Sequence, residues 1–134
     1  MNKPRIITGL SGLAGAGKDT VADFLVAQHG FTKMAFGDAL KEELAKAFKV
    51  SVDLFNDRET KEIPCSDFML VHCRDLDFLD KWSNGQPGFA LDLVLFEPRS
   101  PRWIMQQWGT EYRRKHYGQD YWTKQLAKRI ESTA

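Results

Sequence analysis

The sequence predicts an α/β protein in which a short parallel sheet lies between helical layers, αβα, and the second half is largely helical. Three observations carry that expectation. A short apolar run at residues 5–10, RIITGL, passes straight into glycines. A helical pattern follows from Lys18, and a second apolar run, FTKMAF, occupies residues 31–36. Strand, helix and strand in that order imply a parallel βαβ unit, since parallel neighbours need a crossover between them.

Each element has its own local reason. Short apolar runs bounded by glycine read as buried strands. The first helix carries Val21, Phe24, Leu25 and Gln28 at helical spacing, and Gly30 supplies its stop. Phe31, Met34 and Phe36 provide the apolar content of the second strand. Asp38 then stands where an N-cap is expected, before a helix over about 38–49 whose inward stripe is Leu40, Leu44, Ala47 and Phe48. Residues 51–62 read as a short helix and turn, ended by Pro64. Within 64–98, DFMLVHC and FALDLVLF fit either strands or pieces of helix, with SNGQPG as a loop between them. Ser100-Pro101 is an N-cap followed by proline at the first helical position, predicting a helix to about Lys115. Tyr117-Gly118 breaks it. Asp120 caps a last helix along which Trp122, Leu126 and Ile130 repeat every four residues.

The chain has 134 residues, 43% apolar and 28% charged, with a net charge of +1. One domain with a real core fits that length. The charge balance gives no case for nucleic acid or a membrane surface as a partner. The N-terminal apolar run is too short and too interrupted for a signal peptide, and no window approaches the about 20 apolar residues of a membrane span. Cys65 and Cys73 are not spaced as zinc ligands, even with His72 alongside, so they read as two reduced thiols of a cytoplasmic protein.

The chemistry concentrates in GLAGAGKDT, residues 12–20. Gly12, Gly15 and Gly17, with Ala14 and Ala16 between them, let the backbone curl and turn its N–H groups inward. Those amides and the positive end of the following helix form a seat for an anion, and Lys18 adds a mobile positive charge for the β- and γ-phosphates. This is the G-x-x-x-x-G-K loop that binds ATP phosphates, except that Asp19 stands where a hydroxyl is usual and Thr20 brings the hydroxyl one residue late. Asp19 would cap its helix or reach Mg2+ through water, with Thr20 beside it.

The GKDT spelling, followed by VADFL, resembles the bacteriophage deoxynucleoside monophosphate kinase family. AFGDALKEELA at 35–45 is similar to that family's substrate-binding helix, which implies roles for Phe36, Asp38 and Lys41 toward the monophosphate. FNDRETKE at 55–62, PRWIMQQWGTEYRR at 101–114 and YGQDYW at 117–122 are similar to its later motifs, so the likeness covers most of 5–130 apart from 64–98. It implies a P-loop NTPase-type fold, ATP as donor, Mg2+, and transfer of the γ-phosphoryl to a deoxynucleoside monophosphate. It departs at the end: the family's later strand, with an acidic residue and an arginine, and its basic lid have no counterpart after Trp122. The sequence therefore reads as a C-terminally incomplete member of the family.

A kinase of this kind holds two polyanions in line and works by positioning and neutralising charge. Arginine forks match phosphate oxygens, and Arg58, Arg102, Arg113 and Arg114 are the candidates. Arg102 and Arg113, with Lys18, are taken as the catalytic set, and Arg58 as a monophosphate contact. Gln106, Gln107, Thr110 and Glu111 recur at helical spacing and could read a base edge, or form a plain polar face. Gly109 within that helix costs about 1 kcal/mol against alanine, which a close backbone or ligand approach would explain. Two other readings stay open. One is a kinase of the same fold acting on dephospho-coenzyme A or phosphomevalonate. The other is an inactive nucleotide-binding module that forms a homodimer through an exposed sheet edge.

Overall fold

The computed structural model describes residues 6–13, 16–83 and 93–132. The chain divides into two compact units, Met1–Met34 and Ala35–Ala134.

In the first unit, residues 6–13 have no regular structure and lead to helix α1, Lys18–His29. Gly17 enters the helix with φ 90° and Gly30 leaves it with φ 68°, both left-handed, so the expected glycine boundaries hold. The Gly30 N–H closes on the Leu25 carbonyl, and Phe31 N–H donates to the same oxygen at 3.3 Å. No residue of α1 is buried.

The predicted αβα sheet is not formed. Among the described residues there is no strand, and the one β-bridge is an isolated antiparallel contact between Cys65 and Arg99. The two apolar runs fail as strands for different reasons. FTKMAF is too short once its ends are taken by helices: Phe31 N–H closes the end of α1, and the Ala35 N–H donates to Asp38 Oδ2 at 2.9 Å at the start of the next helix. Ile6 and Ile7 remain 76% and 67% exposed, so among the described residues the first run has no partner to pair with or pack on. Strand stability comes from cross-strand pairs, which no single apolar run supplies. The sheet edge through which a homodimer was expected is therefore absent among the described residues.

The second unit is helical. Helix α2, Phe36–Phe48, starts two residues earlier than its pattern suggested. Asp38 is consequently not the N-cap, which is Ala35, but the third residue of the first turn, reaching back to the N-cap amide. Lys49 ends α2 with φ 53°, and Arg74 N–H takes the Ala47 carbonyl at 2.8 Å. A 3-10 turn follows at Val52–Phe55, capped by Ser51. The undecided middle is not sheet in its described part: Ser66–Phe68 and Leu70–His72 are 3-10 turns, and α3 spans Leu76–Ser83. Most of SNGQPG and the first half of FALDLVLF lie outside the described residues, and residues 93–95 are helical.

Helix α4, Pro101–Gln106, begins as predicted, with Ser100 Oγ accepting from Trp103 N–H at 3.1 Å. It continues without a break into a π-helix at Gln107–Arg114 and a last α-turn, α5, at Lys115–Tyr117. The π segment was not expected. Gly118, at φ 114°, ends the run where the sequence placed its break. Helix α6, Tyr121–Ser132, completes the unit.

The core forms where these helices meet. Leu44, Phe68, Leu70, Phe78 and Ile104 are fully buried, with Trp108 and Tyr112 nearly so. Its aromatic members pack as tilted or edge-to-face pairs: Phe55 on Phe68 at 5.1 Å, and Phe78 on Trp108 at 4.8 Å and on Tyr112 at 5.2 Å. Trp122 is buried, and its indole N–H donates to the Gly109 carbonyl at 3.1 Å. That bond ties α6 to the π segment. No helix among the described residues is long and apolar enough to cross a membrane.

Candidate functional site

The glycine loop meets α1 through the left-handed turn at Gly17. The first backbone bond back from α1 in this turn is Val21 N–H to the Gly17 carbonyl, at 3.1 Å. Among the described residues the amides of Lys18, Asp19 and Thr20 have no backbone acceptor, and Lys18 stands at the first helical position. Upstream, Ala16 N–H donates to the Leu13 carbonyl at 3.0 Å, and Gly12 lies so close to Ala16 that an added Cβ would meet the Ala16 Cβ at 3.3 Å. Ala14 and Gly15 lie outside the described residues. A helix follows this loop, but the strand expected before it does not form.

Asp19 has a partner in its own unit. Lys33 Nζ lies 3.6 Å from Asp19 and 3.2 Å from Asp23, one turn further along α1. Asp23, with Asp19 adding, holds the Lys33 ammonium above its ordinary range. The N-cap position belongs to Gly17, so Asp19 does not cap the helix. Among the described residues no group of three or more His, Cys, Asp or Glu side chains could hold a metal ion. Asp19 and Thr20 alone do not amount to a protein-built Mg2+ site.

In the second unit the expected site residues separate into two sets. Several are taken by partners of their own. Arg102 pairs with Glu62. Arg113 Nε donates to Glu43 Oε1 at 2.8 Å. Gln107 Oε1 accepts the Trp82 indole N–H at 3.0 Å, and Lys41 Nζ donates to Asn56 Oδ1 at 2.8 Å. Asp38 serves the start of α2. Phe36, Arg58, Gln106, Thr110 and Glu111 are exposed.

Arg113 was singled out from the sequence for another role; Glu43, Asp77 and the tyrosines that organise this unit around it were not. Glu43 Oε1 accepts from both Arg113 and the Trp108 indole N–H, the latter at 2.9 Å, and Glu43 Oε2 accepts the Tyr121 hydroxyl at 2.5 Å. The Arg113 guanidinium lies 4.7 Å from the Tyr112 ring centre, 5.0 Å from those of Tyr117 and Tyr121, and 5.5 Å from that of Trp108. Partial burial works against its charge, and Glu43 outweighs that effect and raises its pKa. Asp77, on α3, accepts from Lys81 Nζ at 2.5 Å and from the hydroxyls of Tyr112 and Tyr117. Those bonds, Lys81 first, hold the Asp77 carboxyl well below its ordinary range. The available sequence signal was the density of Trp and Tyr over 103–122, which calls for polar partners when buried.

Of this exposed set Phe36 and Thr110, but not Arg58, Gln106 or Glu111, border a cleft. Its volume is about 380 Å3, and Phe36, Gly37 and Leu40 of α2 face Gly109, Thr110 and Arg114 of the π-helix across it, with Thr123 of α6 at one side. Among its lining residues Arg114 is the only charged one. A second groove, about 440 Å3, lies between α2 and α6, but there Arg129 is bonded to Glu42 at 2.5 Å. No family model matches this chain, and neither a curated protein nor a solved structure does.

Proposed function

We propose that this chain is a cytoplasmic, ATP-dependent kinase of deoxynucleoside monophosphates. The observation that carries the reading is the start of α1. A left-handed Gly17 delivers three amides without backbone acceptors among the described residues and a lysine at the first position, which together suit the phosphates of a nucleotide. The motif order beyond the loop, from AFGDALKEELA to YGQDYW, supports a monophosphate acceptor. Mg2+ belongs to the reading as counter-ion of the ATP phosphates. The residues of this chain contribute charge and donors: the loop amides and Lys18 toward the donor, arginines toward the acceptor.

One observation favours a second reading, a nucleotide-binding module that transfers nothing. Arg102 and Arg113, the arginines assigned to transfer, are each paired with a glutamate, and Arg113 is also enclosed by aromatic rings. A coupled assay for ADP release separates the two. With ATP, Mg2+ and each deoxynucleoside monophosphate in turn, the kinase gives acceptor-dependent turnover that Lys18→Ala abolishes. ATP binding by calorimetry that is lost in Lys18→Ala, without turnover for any acceptor, establishes the binding module. Neither turnover nor ATP binding overturns both.

A further inference from the structure

We propose that the cleft over Gly109 is a nucleoside monophosphate site in which Arg114 holds the phosphate and Phe36 covers the base. This rests on the reading of the acceptor given above. The sequence offers Arg113 and Arg114 as equals. Packing separates them, because Arg113 is drawn into the Glu43 carboxylate and the tyrosine rings. Arg114, the next residue, borders the cleft instead, and among the described residues no carboxylate is paired with it. An arginine fork in that position matches two phosphate oxygens.

The rest of the cleft has the composition a nucleotide needs. It lies within the range of about 300–1,000 Å3 typical of small-molecule sites. No acidic side chain lines it, so nothing there repels a phosphate dianion. Thr110 and Thr123 provide hydroxyls along its sides, and Leu40 and Gly109 provide an apolar floor. Phe36 is 58% exposed at its mouth, an aromatic face left in water that a base would cover. The other groove carries Lys46 and Lys128 but is also lined by Glu42 and Glu43, and its arginine already has Glu42.

The experiment is a titration of the full chain, without ATP, with each of the four deoxynucleoside monophosphates, followed by intrinsic tryptophan fluorescence and calorimetry. Inorganic phosphate and the phosphate-free nucleosides serve as probes of each half of the ligand. Arg114→Ala should weaken the preferred monophosphate roughly tenfold or more. It should leave the matching nucleoside unchanged, and Arg114→Lys should restore part of the loss. Phe36→Ala should weaken monophosphate and nucleoside alike. Both side chains are on the surface, and circular dichroism confirms that the variants fold. The proposal is overturned if the wild-type chain binds no monophosphate at millimolar concentration, or if Arg114→Ala and Phe36→Ala leave its affinity within twofold. Binding that responds as expected in a chain with no ADP release would uphold the cleft and remove the kinase reading. Turnover that is indifferent to both variants would do the reverse.

Discussion

Arg113 and Glu43 are separated by 70 residues of chain and meet at 2.8 Å, with the Arg113 side chain 17% and the Glu43 side chain 22% exposed. Glu43 also accepts from Trp108 and Tyr121, so one carboxylate on α2 joins the π-helix to α6. Removing it leaves three donors without this acceptor, whereas removing Arg113 leaves Glu43 with its other two donors. Glu43→Ala should therefore cost about 3 kcal/mol and Arg113→Ala less, because unpaired buried groups forfeit their desolvation energy. Urea unfolding of both single variants and the double variant measures the difference. Equal losses would mean that Trp108 and Tyr121 contribute nothing through Glu43.

Gly118 is held in a conformation that side chains avoid. Its φ is 114°, and an added Cβ would lie 3.0 Å from Asp120 Oδ1. Gly118→Ala should destabilise the chain by about 2 kcal/mol, through backbone strain and this contact together. A thermal midpoint unchanged from wild type would refute it.

Gly109 behaves differently. Its φ is not positive, and a Cβ there would meet Leu40 at 3.5 Å and the Trp122 indole nitrogen at 3.6 Å, ordinary contacts. Gly109→Ala should leave stability unchanged or raise it by up to about 1 kcal/mol. The added methyl enters the floor of the cleft, so monophosphate affinity should fall while the melting temperature does not.

The pH dependence has two limbs. Asp77 has its folded pKa lowered from 3.8 by Lys81, Tyr112 and Tyr117, so it stabilises the fold above about pH 4 and loses that contribution as pH falls. Asp77→Asn should flatten the acid limb of a plot of melting temperature against pH. Cys73 moves the other way: burial pushes its thiol from 9.0 up to about 11. The unfolded chain then releases its proton first, so stability falls as pH rises from about 9 toward 11. Burial also raises Tyr112 and Tyr121, adding to the same alkaline limb. Cys73→Ala should reduce its slope without removing it.

The thiols themselves should differ in rate. Cys73 is 6% exposed and Cys65 only half-buried. Both have raised pKa values by burial, Cys65 with less of it. A thiol reagent at neutral pH should label Cys65 first, and Cys73 at a rate set by unfolding. Mass mapping of the modified peptides checks the order.

What the sequence alone determined was local. Gly17 and Gly30 delimit α1, Ser100-Pro101 starts α4 and Gly118 ends α5, because caps and left-handed glycines act within one turn of chain. Leu44, Phe48 and Trp122 were legible as core for the same reason, their spacing along a helix. The glycine loop was legible as a motif, and a helix follows it as expected, though no strand precedes it among the described residues.

What only the tertiary structure decided was everything that needs a partner from elsewhere in the chain. The runs at 5–10 and 31–36 have strand composition, but a strand exists only when another strand accepts its hydrogen bonds, and none does among the described residues. The π-helix shows no signature in QWGTEYRR, and its Gly109 carbonyl is bonded by Trp122, thirteen residues away. Arg113 and Arg114 are the same residue type on adjacent positions. Glu43, on another helix, takes one of them and leaves the other at the cleft, since a half-buried guanidinium stays where a carboxylate compensates its lost hydration.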